Sequence, residues 1–133
     1  MRPAAARADL AAALAPVQDH GDGVPVHERW PDAFTAPALL IEPGDPWIVT
    51  TDDEMPWRSG LFRFVVQVVG SNGTPEAGPE RVEDILGAVL DALYESASEW
   101  SVEQVGKPGT LTLPDRGGFP AVEVVVTAPL SLS

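Results

Sequence analysis

The stretch from Leu61 to Trp100 constrains the fold most, because a strand pattern is followed there by a helix pattern. Residues 61–70 (LFRFVVQVVG) alternate with period two, which predicts a strand with one apolar face formed by Phe62, Phe64, Val66 and Val68. Residues 81–100 repeat large apolar side chains every three or four positions, which predicts an amphipathic helix. Pro79 suits the first turn of that helix. The strand and the helix are therefore expected to share a core.

The flanking sequence supplies a further helix and several shorter strands. An alanine-rich helix is predicted over 4–15 and ends at Pro16, and 17–36 is expected to be mostly loop with a short strand near Val24 and Val26. Strand patterns follow at 38–41, 47–51, 102–105, 110–113 and 119–128, with a turn at 43–46. Because short turns join most of the strands, the sequence predicts an α+β fold: a mixed, mostly antiparallel sheet with two helices packed on it, in a single domain spanning 1–133.

Composition excludes several classes of function. The chain of 133 residues has 20 acidic and 8 basic residues, a formal charge of −12. A field of this sign repels phosphate backbones and anionic membranes, which bind proteins through Lys and Arg. Without cysteine, the chain has no disulfide and no thiolate nucleophile or metal ligand. Arg7 and Asp9 interrupt the only stretch that resembles a signal peptide, so a soluble protein made in the cytoplasm is expected.

The loop predicted from Pro43 to Gly60 is the candidate partner-binding segment. Its prolines, glycines and acidic residues disfavour regular structure. It nevertheless carries Trp47, Met55 and Trp57, and aromatic residues and Met are enriched at the cores of protein interfaces. Two interpretations remain open: these side chains anchor a partner, or both Trp side chains fold back onto the protein's own sheet.

The residues with potential for catalysis or ligand binding form no recognisable site. The glycine-rich turn GSNGTPEAGPE (70–80) does not match the phosphate-binding fingerprint G-x-G-x-x-G, and its acidic residues would repel an anion. His20 and His27 have acidic neighbours, but no third ligand follows at helical or strand spacing. There is no G-x-S-x-G elbow. We therefore expect no catalytic, cofactor-binding or metal-binding residues, and no enzyme.

Three segments together resemble the tail terminator proteins of long-tailed actinobacterial phages. They are PDAFTAPALLIEPGDPWI (31–48), the strand LFRFVVQVVG with the following RVEDILGAVLDAL (61–93), and VGKPGTLTLPDRGGFPAVEVVVTAPL (105–130). The resemblance implies a structural α+β subunit of a hexameric ring on the head-proximal end of the tail tube. There it stops tube polymerisation and contacts the major tail tube protein and the head–tail connector proteins. Genomic DNA would pass through the ring without specific binding, and no membrane or cofactor is involved.

Two alternatives remain at this stage. A head-side adaptor or stopper protein also forms a ring at the phage neck. A small cytosolic enzyme or ligand-binding domain would instead be a monomer or dimer with a closed pocket. The first would be separated from a tail terminator by the partner that it binds, and the second by its oligomeric state.

Overall fold

The computed structural model describes residues 3–21, 23–31, 35–50, 60–71, 77–95, 100–113 and 117–129. The helices are α1 (Pro3–Ala13), a short 3₁₀ helix (Ala15–Asp19) and α2 (Ala77–Glu95). The strands are β1 (Val26–His27), β2 (Ala38–Thr50), β3 (Gly60–Val69), β4 (Ser101–Val105), β5 (Gly109–Leu113) and β6 (Gly117–Pro129). No helix among these residues is long and apolar enough to cross a membrane.

Within the described residues, the strands form one six-stranded sheet in the order β1-β2-β3-β6-β4, and β5 also pairs with β6. The pairing of β1 with β2 is parallel and every other pairing is antiparallel. Strands β4 and β5 bond to successive parts of the 13-residue β6. The predicted α+β fold, with a mixed and mostly antiparallel sheet and two helices, is confirmed.

One face of the sheet carries the main core, and all three helical segments pack on it. The predicted apolar face of β3 is buried throughout, with Phe62, Phe64, Val66 and Val68 at most 1% exposed. Leu10 of α1 and Val89 of α2 belong to the same buried cluster. The helix period of 81–93 therefore identified the buried stripe of α2, although Leu86 on that stripe is only half-buried. We call this side of the sheet the covered face and the other side the open face.

Two predictions of local structure are wrong. The chain does not turn away at 43–46, because β2 continues from Ala38 to Thr50 and pairs with β3 on both sides of an irregularity between Pro43 and Ile48. The predicted loop from Pro43 to Gly60 is thus a strand up to Thr50, and 51–59 lies outside the described residues. Hydrogen bonding to β3 outweighs the prolines, which are tolerated here because β2 lies near the border of the sheet.

The second wrong prediction concerns Trp100, which was expected on the stripe of the long helix. It immediately precedes β4 instead and is buried at 5% exposure. Its ring meets Phe64 edge to face at a centroid distance of 5.7 Å, and its Nε1–H donates to Asp9 Oδ2 at 2.8 Å. Trp100 therefore joins α1 to the centre of the sheet.

Candidate functional site

Trp47, the first predicted partner-binding residue, lies in strand β2 and not in a loop. Its ring packs against the core rings of Phe62 and Phe64, at centroid distances of 6.1 and 6.2 Å. Even so, 39% of the residue remains exposed. Trp47 therefore does both things that the sequence left open: it folds onto its own sheet and keeps a surface that a partner can contact. Met55 and Trp57 lie outside the described residues.

The exposed large apolar residues of the described chain occupy the two opposite borders of the sheet. We call one border the β2 edge, formed by the outer side of β2 and the adjoining segment after β1. We call the other the β4 edge, formed by β4 and the end of α2 beside it. The β2 edge carries Trp30 (41% exposed), Trp47 (39%) and Val49 (37%), and the β4 edge carries Tyr94 (90%), Val102 (40%) and Val105 (41%).

The β2 edge is largely unpaired because β1 is very short. Strand β1 pairs with β2 only at Leu39 and Leu40, and no described strand pairs with the outer side of β2, the side away from β3, from Ile41 to Thr50. Trp30 is fixed at this edge, since its Nε1–H donates to Glu42 Oε2 at 2.9 Å. The outer side of β2 thus presents backbone groups and apolar side chains together.

Arg7 connects α1 to this same edge. Its guanidinium donates to the backbone oxygens of Glu28 and Ile41 and lies over the Phe64 ring, 5.6 Å from the centroid. Burial and the nearby Arg29 lower the pKa of Arg7, and Glu28 partly opposes this effect. Arg7 and the exposed Arg29 thus lie at this edge together with the acidic residues Glu28 and Glu42.

The outer side of the β4 edge pairs with no strand in the part of the chain that the structure describes. All five residues of β4 are exposed, and among the described strands β4 pairs only with β6. Between β4 and α2 lies a groove of about 590 Å³. Its lining is mainly apolar, with one acid: Leu90, Asp91, Leu93, Tyr94, Trp100, Ser101 and Val102.

The open face carries a polar network in place of a helix. The buried Gln67 (6% exposed) donates through Nε2 to Glu42 Oε1 at 3.0 Å and to Glu123 Oε1 at 2.8 Å. Nearby, Arg63 Nε donates to Glu103 Oε2 at 2.9 Å. The two bonds of Gln67 satisfy the donor side of a buried amide, which gives the network a structural role. A depression of about 200 Å³ adjoins Gln67 and is also lined by Lys107 and Glu123.

The histidines do not converge on a common site. His20 contacts Asp84 of α2, with 2.6 Å between Nε2 and Oδ2. His27 lies in β1. Among the described residues, no group of three or more His, Asp or Glu side chains is arranged to hold a metal ion. The His20–Asp84 pair, with Asp84 largely exposed, joins the 3₁₀ segment to α2.

Sequence reasoning identified Trp47 but missed the rest of the two edges. Tyr94 offered a signal, because a tyrosine next to Leu93 falls outside the apolar stripe of the helix. Val102 and Val105 offered none, since a valine in a short strand is equally consistent with burial. Their exposure follows from the position of β4 at the sheet border, which only the topology reveals.

Comparison with known proteins adds no family: no family model matches the chain, and no curated protein matches it.

Proposed function

We propose that this protein is a phage tail terminator, a ring-forming subunit that caps the head-proximal end of the tail tube and supports its joining to the capsid. The proposal starts from the resemblance of 31–48, 61–93 and 105–130 to that family. The single structural observation that supports it best is the placement of exposed apolar residues on two opposite sheet edges.

Two different edges favour a ring over a simple dimer. A two-fold dimer buries the same surface on both copies, whereas a head-to-tail interface joins two different surfaces and closes into a ring when the rotation allows it. The β2 edge and the β4 edge differ in every residue, yet each exposes three large apolar side chains. A head-to-tail contact covers both surfaces on every copy.

The charge of the chain suits a ring through which DNA passes. At −12 per subunit, a ring carries a strongly negative field. Such a field opposes binding to the phosphate backbone, because that binding requires cationic side chains. The genome then moves through the opening without being retained. In this function the protein is assembled in the host cytoplasm and resides in the virion, at the head end of the tail.

A capping protein also needs a surface for the tube. We assign this contact to the segment between Thr50 and Gly60, which holds Met55 and Trp57. The assignment rests on sequence: Met and Trp are the residue types that supply most of the affinity at interface cores. Trp47, which packs on Phe62 and Phe64 and precedes this segment in β2, would contribute to the same contact.

The test is an assembly assay with the major tail tube protein encoded in the same genome. Added to polymerising tube, the wild-type protein is expected to stop growth at one end and shorten the tubes seen by electron microscopy. Trp57→Ala is expected to leave the melting temperature nearly unchanged and to allow over-long tubes. A wild-type protein that binds purified portal-side adaptor and not tube would contradict the proposal and favour the head-side role.

A further inference from the structure

The depression beside Gln67 lies where the long strand β6 changes its pairing partner. Strand β4 pairs with β6 as far as Val124, and β5 pairs with it from Ala121, so neither strand pairs with the two residues between them. Gly106 closes part of this gap, since its N–H donates to the backbone oxygen of Glu123 at 2.8 Å. A volume of about 200 Å³ remains open. The topology of the sheet therefore builds a small cavity on the open face.

The buried amide of Gln67 keeps a free acceptor at this cavity. Its Nε2 donates to Glu42 Oε1 at 3.0 Å and to Glu123 Oε1 at 2.8 Å. These contacts identify the nitrogen, because the reverse amide orientation would place an oxygen against two carboxylates. No N–H or O–H group of the described residues donates to Gln67 Oε1. Only 6% of the residue is exposed, and a buried acceptor without a donor is destabilising.

The strand registers show that this acceptor is turned toward the cavity. Glu42 is level with Val65, two residues before Gln67 in β3. Ala121, which lines the cavity, is level with Val69, two residues after Gln67. Nε2 is turned toward Glu42, so Oε1 at the other corner of the amide is turned toward Ala121. A ligand in the cavity that donates a hydrogen bond would satisfy this oxygen.

A carboxylate adds negative charge beside the free acceptor. Glu123 lines the cavity, and its contact with Gln67 is a bond from a neutral amide. The ion pairs of the described residues lie elsewhere, so no cation of this part of the chain neutralises Glu123 or Glu42. A donor that carries positive charge satisfies both the oxygen of Gln67 and the charge of Glu123, and bonds of this kind are stronger than those between neutral groups.

The size and the walls of the cavity indicate which cation fits. At ~30 Å³ for each water-sized group, 200 Å³ corresponds to about seven non-hydrogen atoms, the size of an alkylguanidinium. A guanidinium presents its N–H donors in a rigid planar fork, which can reach two acceptors at once. Leu111 and Ala121 provide apolar contact for the alkyl part. An alkylammonium is smaller and more strongly hydrated, so it fits this cavity less well.

Lys107 lies at the rim of the cavity and opposes a bound cation. The residue is exposed, and its ammonium forms no ion pair with the described residues. Its long flexible stem lets the ammonium remain in water, so it weakens the binding of a cation without occupying the cavity. Toward an anion it would act in the opposite sense. Removing the charge of Lys107 therefore reveals the sign of the ligand's charge.

We propose that the depression beside Gln67 binds a guanidinium group, which donates to Gln67 Oε1 and to the carboxylate of Glu123. Glu42 holds the amide of Gln67 in the orientation that this requires. Two sources carry this chemistry: a free alkylguanidinium such as arginine, and the arginine side chain of a protein partner. The proposal concerns the isolated subunit and does not depend on the ring or on the tail tube.

The test is an NMR titration of the isolated subunit with methylguanidinium chloride at constant ionic strength. The chain has three Gln and one Asn, so its side-chain amide signals are few, and those of Gln67 are identified by their absence in Gln67→Leu. Methylguanidinium is expected to shift the Gln67 signals and the backbone amides of Leu111 and Ala121 until they saturate. Methylammonium is expected to bind more weakly, and sodium acetate is expected to cause no saturable shift.

Two variants are expected to change the affinity for methylguanidinium in opposite directions. Glu123→Gln removes the counter-ion and weakens binding about threefold to tenfold. Lys107→Gln removes the opposing charge and tightens binding about twofold. The matched control is Glu83→Gln, which makes the same charge change at an exposed position of α2 on the other side of the sheet and alters the affinity by less than about twofold.

Gln67→Leu removes the acceptor and is expected to abolish binding, followed at the same backbone amides. Circular dichroism melting checks that this variant is folded. If acetate binds and Lys107→Gln abolishes its binding, the depression is an anion site and the proposal is wrong. The proposal is also wrong if methylguanidinium causes only unsaturated shifts, or if Glu123→Gln and Glu83→Gln weaken its binding equally.

The tube assay described above then distinguishes the two sources of the guanidinium. If Glu123→Gln fails to cap tail tubes while Glu83→Gln caps them, the group is an arginine of the tube protein. If both variants cap tubes normally and free arginine binds the subunit more tightly than methylguanidinium does, the ligand is the free amino acid. Both results require the binding seen by NMR, so failure of the site and failure of the terminator function are separate findings.

Discussion

The two faces of the sheet bury their residues by different means, although the same strands build both. On the covered face, β3 contributes Phe62 and Phe64, which lie in a continuous apolar cluster under the helices. On the open face, β3 contributes Arg63, which is half-buried, and Gln67, which is only 6% exposed. No described helix covers Gln67, so neighbouring side chains exclude water from it.

The open face also has a small apolar cluster at one end. Leu40, Val69 and Ala121 are buried there, and Leu111 and Phe119 from the β5–β6 hairpin pack against them. The extension of β5 and β6 beyond β3 thus replaces a helix locally. The difference between the faces shows that burial in this protein comes from a helical layer on one side, and from hydrogen bonds and a hairpin on the other.

The largest expected effect on the free energy of unfolding comes from introducing Asn on the covered face, and the matched control is Asn on the open face. Val66 is 0% exposed on the covered face, and its neighbour Val65 is half-buried on the open face. Val66→Asn loses apolar burial and leaves an amide unpaired, a cost of about 3–5 kcal/mol when both contributions are added. Val65→Asn is expected to cost less than ~1 kcal/mol, within the range of strand propensities.

Urea unfolding of both variants measures this difference directly. The two free energies of unfolding are comparable when both variants have the same m-value, the slope of unfolding free energy against urea concentration. Equal losses in the two variants would mean that the open face excludes water as completely as the covered face. The two faces would then not differ in how completely they exclude water.

An intermediate effect is expected from Gln67→Glu, which tests the polar network of the open face. The new carboxyl would lie between Glu42 and Glu123, where burial and two like charges raise its pKa above the ~4.3 of an unfolded Glu. The cost is therefore full at pH 7 and disappears as pH falls toward the unfolded value. We expect a loss of about 2–3 kcal/mol at neutral pH, because a shift of two pKa units corresponds to ~2.7 kcal/mol.

The control for this prediction is Gln67→Leu, which removes the amide without adding a titrating group. Its stability relative to wild type is expected to change much less between pH 7 and pH 4.5 than that of Gln67→Glu. Thermal melts at the two pH values provide the measurement. A pH-independent loss in Gln67→Glu would show that its carboxyl reaches solvent and that Gln67 does not sit in a dry network.

Sequence patterning predicted the covered face well and the open face poorly. Period-two alternation in β3 and β6 identifies the residues that share a face, and the helix pattern of α2 identifies what covers them. The same pattern does not identify the buried residues of the open face. Gln67 is a polar residue, which the pattern predicts to be exposed, and its amide is buried through hydrogen bonds to Glu42 and Glu123. Those partners are 25 and 56 residues away in sequence.

The candidate site was predictable to a similar extent. Trp47 was identified by its residue type, but the prolines around it predicted a loop. In the structure this segment belongs to strand β2, which pairs with β3 before Pro43 and again from Ile48. The two edges depend on strand order, which places β2 near one border and β4 at the other. Strand order is set by contacts between distant segments, and these leave no local periodicity to detect.

The next stability loss, smaller than those of Val66→Asn and Gln67→Glu, is expected at Trp47, which belongs to the covered face but lies at its border. Its contacts with Phe62 and Phe64 are aromatic pairs, worth about 0.5–1.5 kcal/mol each beyond the area buried. With 39% of the residue exposed, Trp47→Ala is expected to cost about 1–2 kcal/mol, below the 3–5 kcal/mol typical of a fully buried aromatic. Trp47→Phe is expected to recover most of that stability, because a ring remains in contact.

Stability and partner binding should separate in these variants. Trp47→Phe keeps the inner ring contacts but shortens the exposed part, which is the part that a partner can contact. It should therefore melt close to the wild type and cap tail tubes less effectively, measured by calorimetry and by tube length in electron micrographs. If Trp47→Ala destabilises the subunit as much as Val66→Asn, Trp47 is a core residue and its exposed part has no separate role. The border of the covered face would then be no different from its centre.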